Sequence, residues 1–152
     1  MNQFTRKLHQ KTKMSIFIKR CHPEATIPRK ATSWAAGFDL HSIEECEIPA
    51  HEVKKISIGV CLEIPEDHFG KIFDRSSLAI RQLIILGGVI DNDYRGELFV
   101  ILHNLSSTSY TVKKGDKVAQ LVFIPQPRFE FRETCELKNT DRGEKGFGSS
   151  GK

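Results

Sequence analysis

Nowhere does this chain of 152 residues run apolar for the roughly 18 positions that mark a membrane-spanning helix. Its first residues also lack the apolar segment of a secretory signal. Those two absences predict a soluble intracellular protein with no membrane partner, placed in the cytoplasm or nucleus, with the mitochondrion still open. The four cysteines, Cys21, Cys46, Cys61 and Cys135, form no Cys-x-x-Cys pair and have no histidine at metal-ligand spacing, so free thiols are expected in place of a disulfide frame or a zinc site. The six histidines are equally dispersed. Apolar residues recurring at helical spacing are nearly absent as well, which excludes a helix bundle.

Acidic residues are missing from the start of the chain. The formal net charge of +4 comes from the first 23 residues, which hold six Lys or Arg and no acid, so the remainder is mildly acidic. A basic arm on such a body would suit an anionic surface, but a solvated leader over residues 1–13 is the simpler expectation. The aromatics lie mostly inside apolar runs, where they read as core. A nucleic-acid-binding barrel would instead spread them with cations over strand faces, so no stable nucleic-acid partner is expected.

What the chain does contain is many short alternating or β-branched runs, bounded by Pro, Gly or Asp. Strands are expected at 15–20, 38–42, 53–64, 69–73, 83–86, 97–104, 109–112, 117–124 and 128–133, with one short helix at 76–83. Such a series predicts an all-β sandwich, barrel or jelly roll. The run "ELFVILHNL" exceeds strict alternation and suggests a strand buried on both faces. From 134 onward the sequence turns polar and glycine-rich, as a C-terminal arm would, so the organisation expected is leader 1–13, β domain 14–133 and arm 134–152.

Three stretches carry chemistry. "RGEKGFGSSGK" (142–152) has four glycines in eleven residues, which lets backbone N–H groups approach phosphate oxygens. Arg142 adds a fork-shaped cation, Ser149 and Ser150 add hydroxyls, and Phe147 offers a face on which a base can stack. A plain solvated tail would have similar composition. "DRSSLA" (74–79) sets Arg75, Ser76 and Ser77 at the start of the one helix candidate, where they suit either phosphate or simple capping. "LGGVIDNDYRGE" (86–97) compresses two glycines, two acids and a tyrosine into a hairpin, in which Asp91 and Asp93 can serve a base, a metal or only the turn.

Taken together with "AGFDLHS" (36–42) and "GDKVAQLVF" (115–123), these stretches stand in the order and spacing of five motifs, and the chain resembles the trimeric dUTPases over residues 36–151. That resemblance implies a jelly-roll-like β-barrel assembled as a homotrimer, with sites at subunit interfaces and a C-terminal arm reaching a neighbour's site. It also implies Mg2+-assisted hydrolysis of dUTP to dUMP and pyrophosphate. By the same resemblance Asp91 would be the general base. Arg75, Ser76, Ser77 and Gln120 would hold phosphates, with Arg142, Gly148, Ser149 and Ser150 closing from the arm. Asp39 would hold Mg2+ through water, Tyr94 would pack on the deoxyribose, Gly88 and Ile90 would read uracil through their backbone, and Phe147 would stack on the base.

Some positions depart from the family pattern. Asp74 stands where Pro or Gly is usual, and its carboxylate either pairs with Arg75 or points away. Leu86, Ser77 and Ser150 are milder changes. The related dCTP deaminases would place a glutamate where this chain has Ile101, so the resemblance to them is weaker. A dUTPase-like module that only binds would have no need of Asp91, Tyr94, Gln120, Arg142 and Phe147 together.

Overall fold

A computed structural model describes residues 14–146; the expected leader and the last residues of the arm, including Phe147, Gly148, Ser149 and Ser150, lie outside the described residues. Ten strands and one helical turn follow in chain order: β1 (Phe17–Arg20), β2 (Phe38–His41), β3 (Cys46–Ile48), β4 (Val53–Glu63), β5 (His68–Phe73), α1 (Ser76–Ala79), β6 (Leu83–Leu86), β7 (Val89–Ile90), β8 (Glu97–Asn104), β9 (Tyr110–Val112) and β10 (Lys117–Pro125). They form two four-stranded sheets, ordered β1-β4-β8-β6 and β2-β10-β5-β7, and a small β3-β9 ladder. Every pairing is antiparallel. The architecture is jelly-roll-like and all-β but for one helical turn, and the barrel is open because the three ladders do not join. Among the described residues no helix is long and apolar enough to cross a membrane.

Alternation explains the core. On β4 the inward Ile56, Ile58, Val60 and Leu62 are buried, as are Leu98, Val100 and Leu102 on β8. They pack in one cluster with Leu40, Ile72, Ala119 and Leu121 from the facing sheet. At about 25 cal/mol per Å2 of apolar surface removed from water, this two-layer contact is the main force holding the sheets together. β8 itself alternates between buried and half-buried positions along its whole length. The expectation that it is buried on both faces is therefore corrected: Phe99 and Ile101 point away from the core and stay partly exposed.

Two further expectations differ from the structure. The stretch 128–133 forms no strand, because its backbone has no ladder partner within the described chain, and Phe129 and Phe131 stand 86% and 103% exposed. The helix expected over 76–83 closes after one turn at Ala79. Gln82 there takes φ 61°, a left-handed conformation that ends a helix, and the chain enters β6 at once. β3 and β7, three and two residues long, are too short for alternation to reveal.

One buried polar residue joins the sheets' ends. Asn104 is fully buried, and its amide donates to the carbonyls of Ile48 (3.0 Å), Pro49 (3.2 Å) and Thr108 (2.8 Å). Its Oδ1 accepts from the Ser106 N–H (3.1 Å) and Oγ (2.7 Å). The residue thus satisfies loop groups on both sides of the small β3-β9 ladder. Asn104→Ala would orphan several of them at ~1–3 kcal/mol each, so the denaturation midpoint should fall clearly with the slope m unchanged; a midpoint equal to wild type would show that this node carries no stability.

Candidate active site

β10 runs between β2 and β5, and its register sets Gln120 opposite Asp39 on one side and Phe73 on the other. Three segments far apart in sequence, 36–42, 74–79 and 115–123, thereby meet at one end of the second sheet. Asp39 is nearly buried, and two cations hold it: Lys117 Nζ at 2.7 Å from Oδ2 and Arg75 Nε at 3.4 Å from Oδ1. Arg75 also donates from Nη1 to the Lys117 carbonyl at 3.2 Å. The Gln120 amide donates to the Asp74 carbonyl at 2.7 Å. Gly37 leaves room for that side chain, since a Cβ there would sit 2.7 Å from Gln120 Oε1.

The Asp74 carboxylate neither joins Arg75 nor faces this cluster. Oδ1 accepts the Ile85 N–H at 2.6 Å and ties the turn before α1 to β6. Arg75, not a serine, is the residue capping α1, and no side-chain capping bond is present. Ser76 and Ser77 are exposed, so their hydroxyls are available to a ligand. A helix of four residues has little dipole to offer, and the positive field here is that of side chains. Arg75, Ser77, Arg81 and Lys117 line a polar cleft of ≈ 380 Å3.

The second group of residues lies on the turn from β6 into β7, and the hairpin expected there is corrected: β6 pairs with β8 and β7 with β5, in different sheets, so the glycines carry the chain from one sheet to the other. Gly87 and Gly88 turn it at φ 68° and 84°, conformations that cost an L side chain ~1–2 kcal/mol or more. The Gly88 carbonyl accepts the Ile72 N–H at 2.7 Å, and a Cβ on Gly88 would fall 2.9 Å from the Ile72 oxygen. Gly88, Ile90, Asp91 and Tyr94 line one largely apolar cleft of ≈ 270 Å3 with Phe99 and Ile101. The Asp91 carbonyl accepts the Tyr94 N–H at 3.2 Å. The Tyr94 hydroxyl donates to the Glu97 carbonyl at 2.9 Å, which fixes the ring over the turn. At Ile101, where a deaminase would carry its acid, the wall is apolar.

The structure therefore sorts the expected site residues into two clefts that share no lining residue. Arg75 and Ser77 line one, with Asp39 bound to its Arg75 and Lys117, and Gly88, Ile90, Asp91 and Tyr94 line the other; Ser76 and Gln120 line neither. Arg142 lies in the tail, where its Nε donates to the Lys145 carbonyl at 3.0 Å. Sequence reasoning passed over Lys117 and His41. Loss of water around the His41 imidazole, with Lys117 and Arg75 nearby, holds its pKa below the usual histidine range, and its Nδ1 is buried without a hydrogen-bond partner among the described residues. The signal available was strand parity: Asp39 and His41 alternate onto one face, opposite Lys117.

Comparison with known proteins comes to the same place. The sequence matches the dUTPase family model over residues 23–151. It is 44% identical over 141 residues to the deoxyuridine 5'-triphosphate nucleotidohydrolase of Helicobacter pylori strain Shi470, covering 91% of this chain and 97% of that protein. To the enzyme of the same name from Candida albicans it is 40% identical over 149 residues, covering 96% and 92%. In three dimensions it is similar to the dUTPase of Staphylococcus bacteriophage 80alpha solved with dUPNHPP, with TM-score 0.86 and 28% identity over 91% of this chain and 99% of that one. It also shares the fold of a mutant dUTPase from phage phi11 of S. aureus, solved with a structural Mg(II) ion, at TM-score 0.78 and 24% identity over 83% of this chain and 100% of that one.

The Asp74 tether gives a local prediction. Asp74→Ala should speed amide exchange at Ile85 by about fivefold, the equivalent of a typical net hydrogen bond of ~1 kcal/mol. Asp74→Asn keeps an acceptor oxygen and should stay near wild type. Equal exchange in all three proteins would mean that the carboxylate does not hold the turn.

Proposed function

The chain belongs to the dUTPase family, and on that premise we propose that it is a dUTP diphosphatase, hydrolysing dUTP to dUMP and pyrophosphate with Mg2+. The observation that carries this reading is the division of labour between clefts: an apolar slot edged by Asp91 and Tyr94 for a nucleoside, and a cationic one with Arg75 and Lys117 for phosphates.

In this reading the Asp91 carboxylate orients a water and accepts its proton as the oxygen attacks the α-phosphorus. The bond from that phosphorus to the bridging oxygen then breaks, and pyrophosphate leaves. Arg75, Ser76, Ser77 and Gln120 hold the phosphate oxygens, and the phosphates compete with Asp39 for Arg75 and Lys117. Fixing the chain of phosphates in line with the water removes much of the entropic barrier. Tyr94 lies against the deoxyribose where a 2'-hydroxyl would clash. Backbone at Gly88 and Ile90 meets the pairing edge of uracil; because the Gly88 carbonyl is bound to Ile72, the Gly88 N–H is the group that addresses the base. Cytosine would present a donor to a donor there and leave buried groups unpaired, which discriminates strongly. Arg142, Phe147, Gly148, Ser149 and Ser150 belong to an arm, residues 134–152, that closes over the bound nucleotide, with Phe147 stacked on the base.

The donor set fits Mg2+ in one manner. Both Asp39 oxygens already face cations, and no group of three His, Cys, Asp or Glu among the described residues could cage an ion. Asp39 would therefore hold the ion through its water shell, with direct ligands from the triphosphate, as suits an ion that dehydrates reluctantly. When bound, Mg2+ neutralises phosphate charge.

The two clefts also support a homotrimer with sites between subunits. A protomer that holds its nucleoside slot and its phosphate slot apart needs a neighbour to complete either. The exposed Phe129 and Phe131 are apolar surface such a neighbour would cover. The role that follows is to keep dUTP away from DNA synthesis and to supply dUMP for thymidylate, in the cytoplasm or nucleus, with the mitochondrion still open.

Pyrophosphate release from dUTP, dCTP, dTTP and UTP in parallel tests this. Release confined to dUTP, lost with a chelator and cut about 10²–10⁴-fold in Asp91→Asn, is expected, together with a trimeric mass by light scattering. A folded protein inactive on all four nucleotides would overturn the reading in favour of a binding module.

A further inference from the structure

Two neighbours on β5 hold the turn that carries the chain from β6 to β7. The Ile72 N–H donates to the Gly88 carbonyl at 2.7 Å, and the Lys71 ammonium donates to the Gly87 carbonyl at 2.8 Å. Lys71 stands opposite Val89 in the β5–β7 ladder, and by strand parity its side chain lies on the other face from that of Ile72. Ile72 is buried and lines the apolar cleft together with Gly88. Lys71 is half-buried, lines no part of that cleft, and holds its Nζ 6.0 Å from the centroid of the exposed Phe73 ring. The ammonium therefore grips the turn from behind.

One peptide plane links that grip to the cleft. In a trans peptide the carbonyl and the N–H point in opposite directions. With the Gly87 carbonyl drawn to Lys71, the Gly88 N–H of the same plane is turned toward the Ile72 side, which is the side of the cleft. Among the described residues the turn gives this N–H no backbone acceptor. Glycine at both positions makes the opposite orientation accessible as well. Positive φ at Gly87 and Gly88 is the sign pattern of a type I′ turn, and rotating the peptide between them yields the type II′ pattern, positive at the first alone. That rotation would put the Gly87 carbonyl where the Gly88 N–H now stands, so a donor in the cleft would become an acceptor. Lys71 is the side chain that opposes it.

We propose that Lys71 is a positioning residue that determines base specificity: its hydrogen bond to Gly87 locks the turn with the Gly88 N–H facing the base, and so selects uracil over cytosine. This role rests on the apolar cleft being the uracil site proposed above. Uracil offers a carbonyl oxygen where cytosine carries an amino group, so a fixed donor accepts the first and rejects the second. The charge acts beyond position. A carbonyl bound to an ammonium is polarised, and the N–H at the other end of the same amide becomes a stronger donor. Lys71 lines no part of the cationic cleft either, so its loss should act on base binding and spare the chemistry at phosphorus.

Lys71→Met keeps most of the side chain's length and removes the donor, and Lys71→Arg restores one. Steady-state hydrolysis of dUTP and dCTP, and titration calorimetry with dUMP and dCMP, are measured on the full-length wild type and both variants. Lys71→Met should raise KM for dUTP about fivefold, the worth of one net hydrogen bond, with kcat held. Its dCTP-to-dUTP ratio of kcat/KM should rise on the order of tenfold as the clash of donors is relieved. The preference for dUMP over dCMP should narrow in step, Lys71→Arg should recover most of it, and Tm should shift little. A wild type that prefers uracil, with Lys71→Met equally selective, would overturn the lock alone. Selectivity lost together with a fall in Tm, and not recovered in Lys71→Arg, would overturn it in favour of a merely structural lysine. A wild type that binds dUMP no better than dCMP would overturn the uracil site and the lock with it. A Lys71-dependent preference for dUMP in a protein that hydrolyses neither triphosphate would support the lock and overturn only the catalytic reading.

Discussion

The cationic cluster of the candidate site hangs on the position of β10 between β2 and β5. A strand with two neighbours presents one face to the core and the other outward, and its ladder bonds fix which residues of three distant segments lie side by side. Gln120 has Asp39 across one ladder and Phe73 across the other, so Asp74 and Arg75 are delivered to it by chain continuity. A one-residue slip would turn Gln120 inward and Leu121 outward. The burial of Ala119 and Leu121 is what prevents that slip, which makes the core on one side of the strand the guarantor of the polar cluster on the other.

The cluster also shows why a charged site can be stable without ligand. A nearly buried carboxylate is costly unless paired, and Asp39 is paired twice. Arg75 and Lys117 would repel each other without it. In the proposed reaction the same three groups would trade partners when phosphate arrives, and until then the ion pairs with Asp39 keep both cations at the cleft.

Much of this was readable in the residues, and the failures have physical causes. Strands 83–86 and 97–104 were legible to the residue as apolar, β-branched runs ended by turn residues, although neither sequence alternates; the period of two in 97–104 shows only in its burial. β3 and β7 escaped because three or two residues contain no period. The segment 128–133 has strand composition but lacks a ladder partner in the described chain, and composition cannot supply a partner. The helix was overextended because nothing in "SSLAIRQL" announces that Gln82 will adopt a left-handed backbone. At the site, residue types left Asp91 and Arg75 open between chemistry and plain structure, and it was the family resemblance that singled them out together with Gln120. Lys117, His41 and the true direction of Asp74 depended on pairings between strands, which are visible only once the sheets are assembled.

The separation of the nucleoside slot from the phosphate slot reaches into genetics. Where one working centre draws its two halves from different copies of the chain, a defect in Asp91 and a defect in Arg75 need not fall on the same centre. Two alleles, each inactive alone, could then restore one another in a mixed assembly, because some centres would receive an intact half from each parent. A protein whose slots were fused into one pocket would have no such reserve.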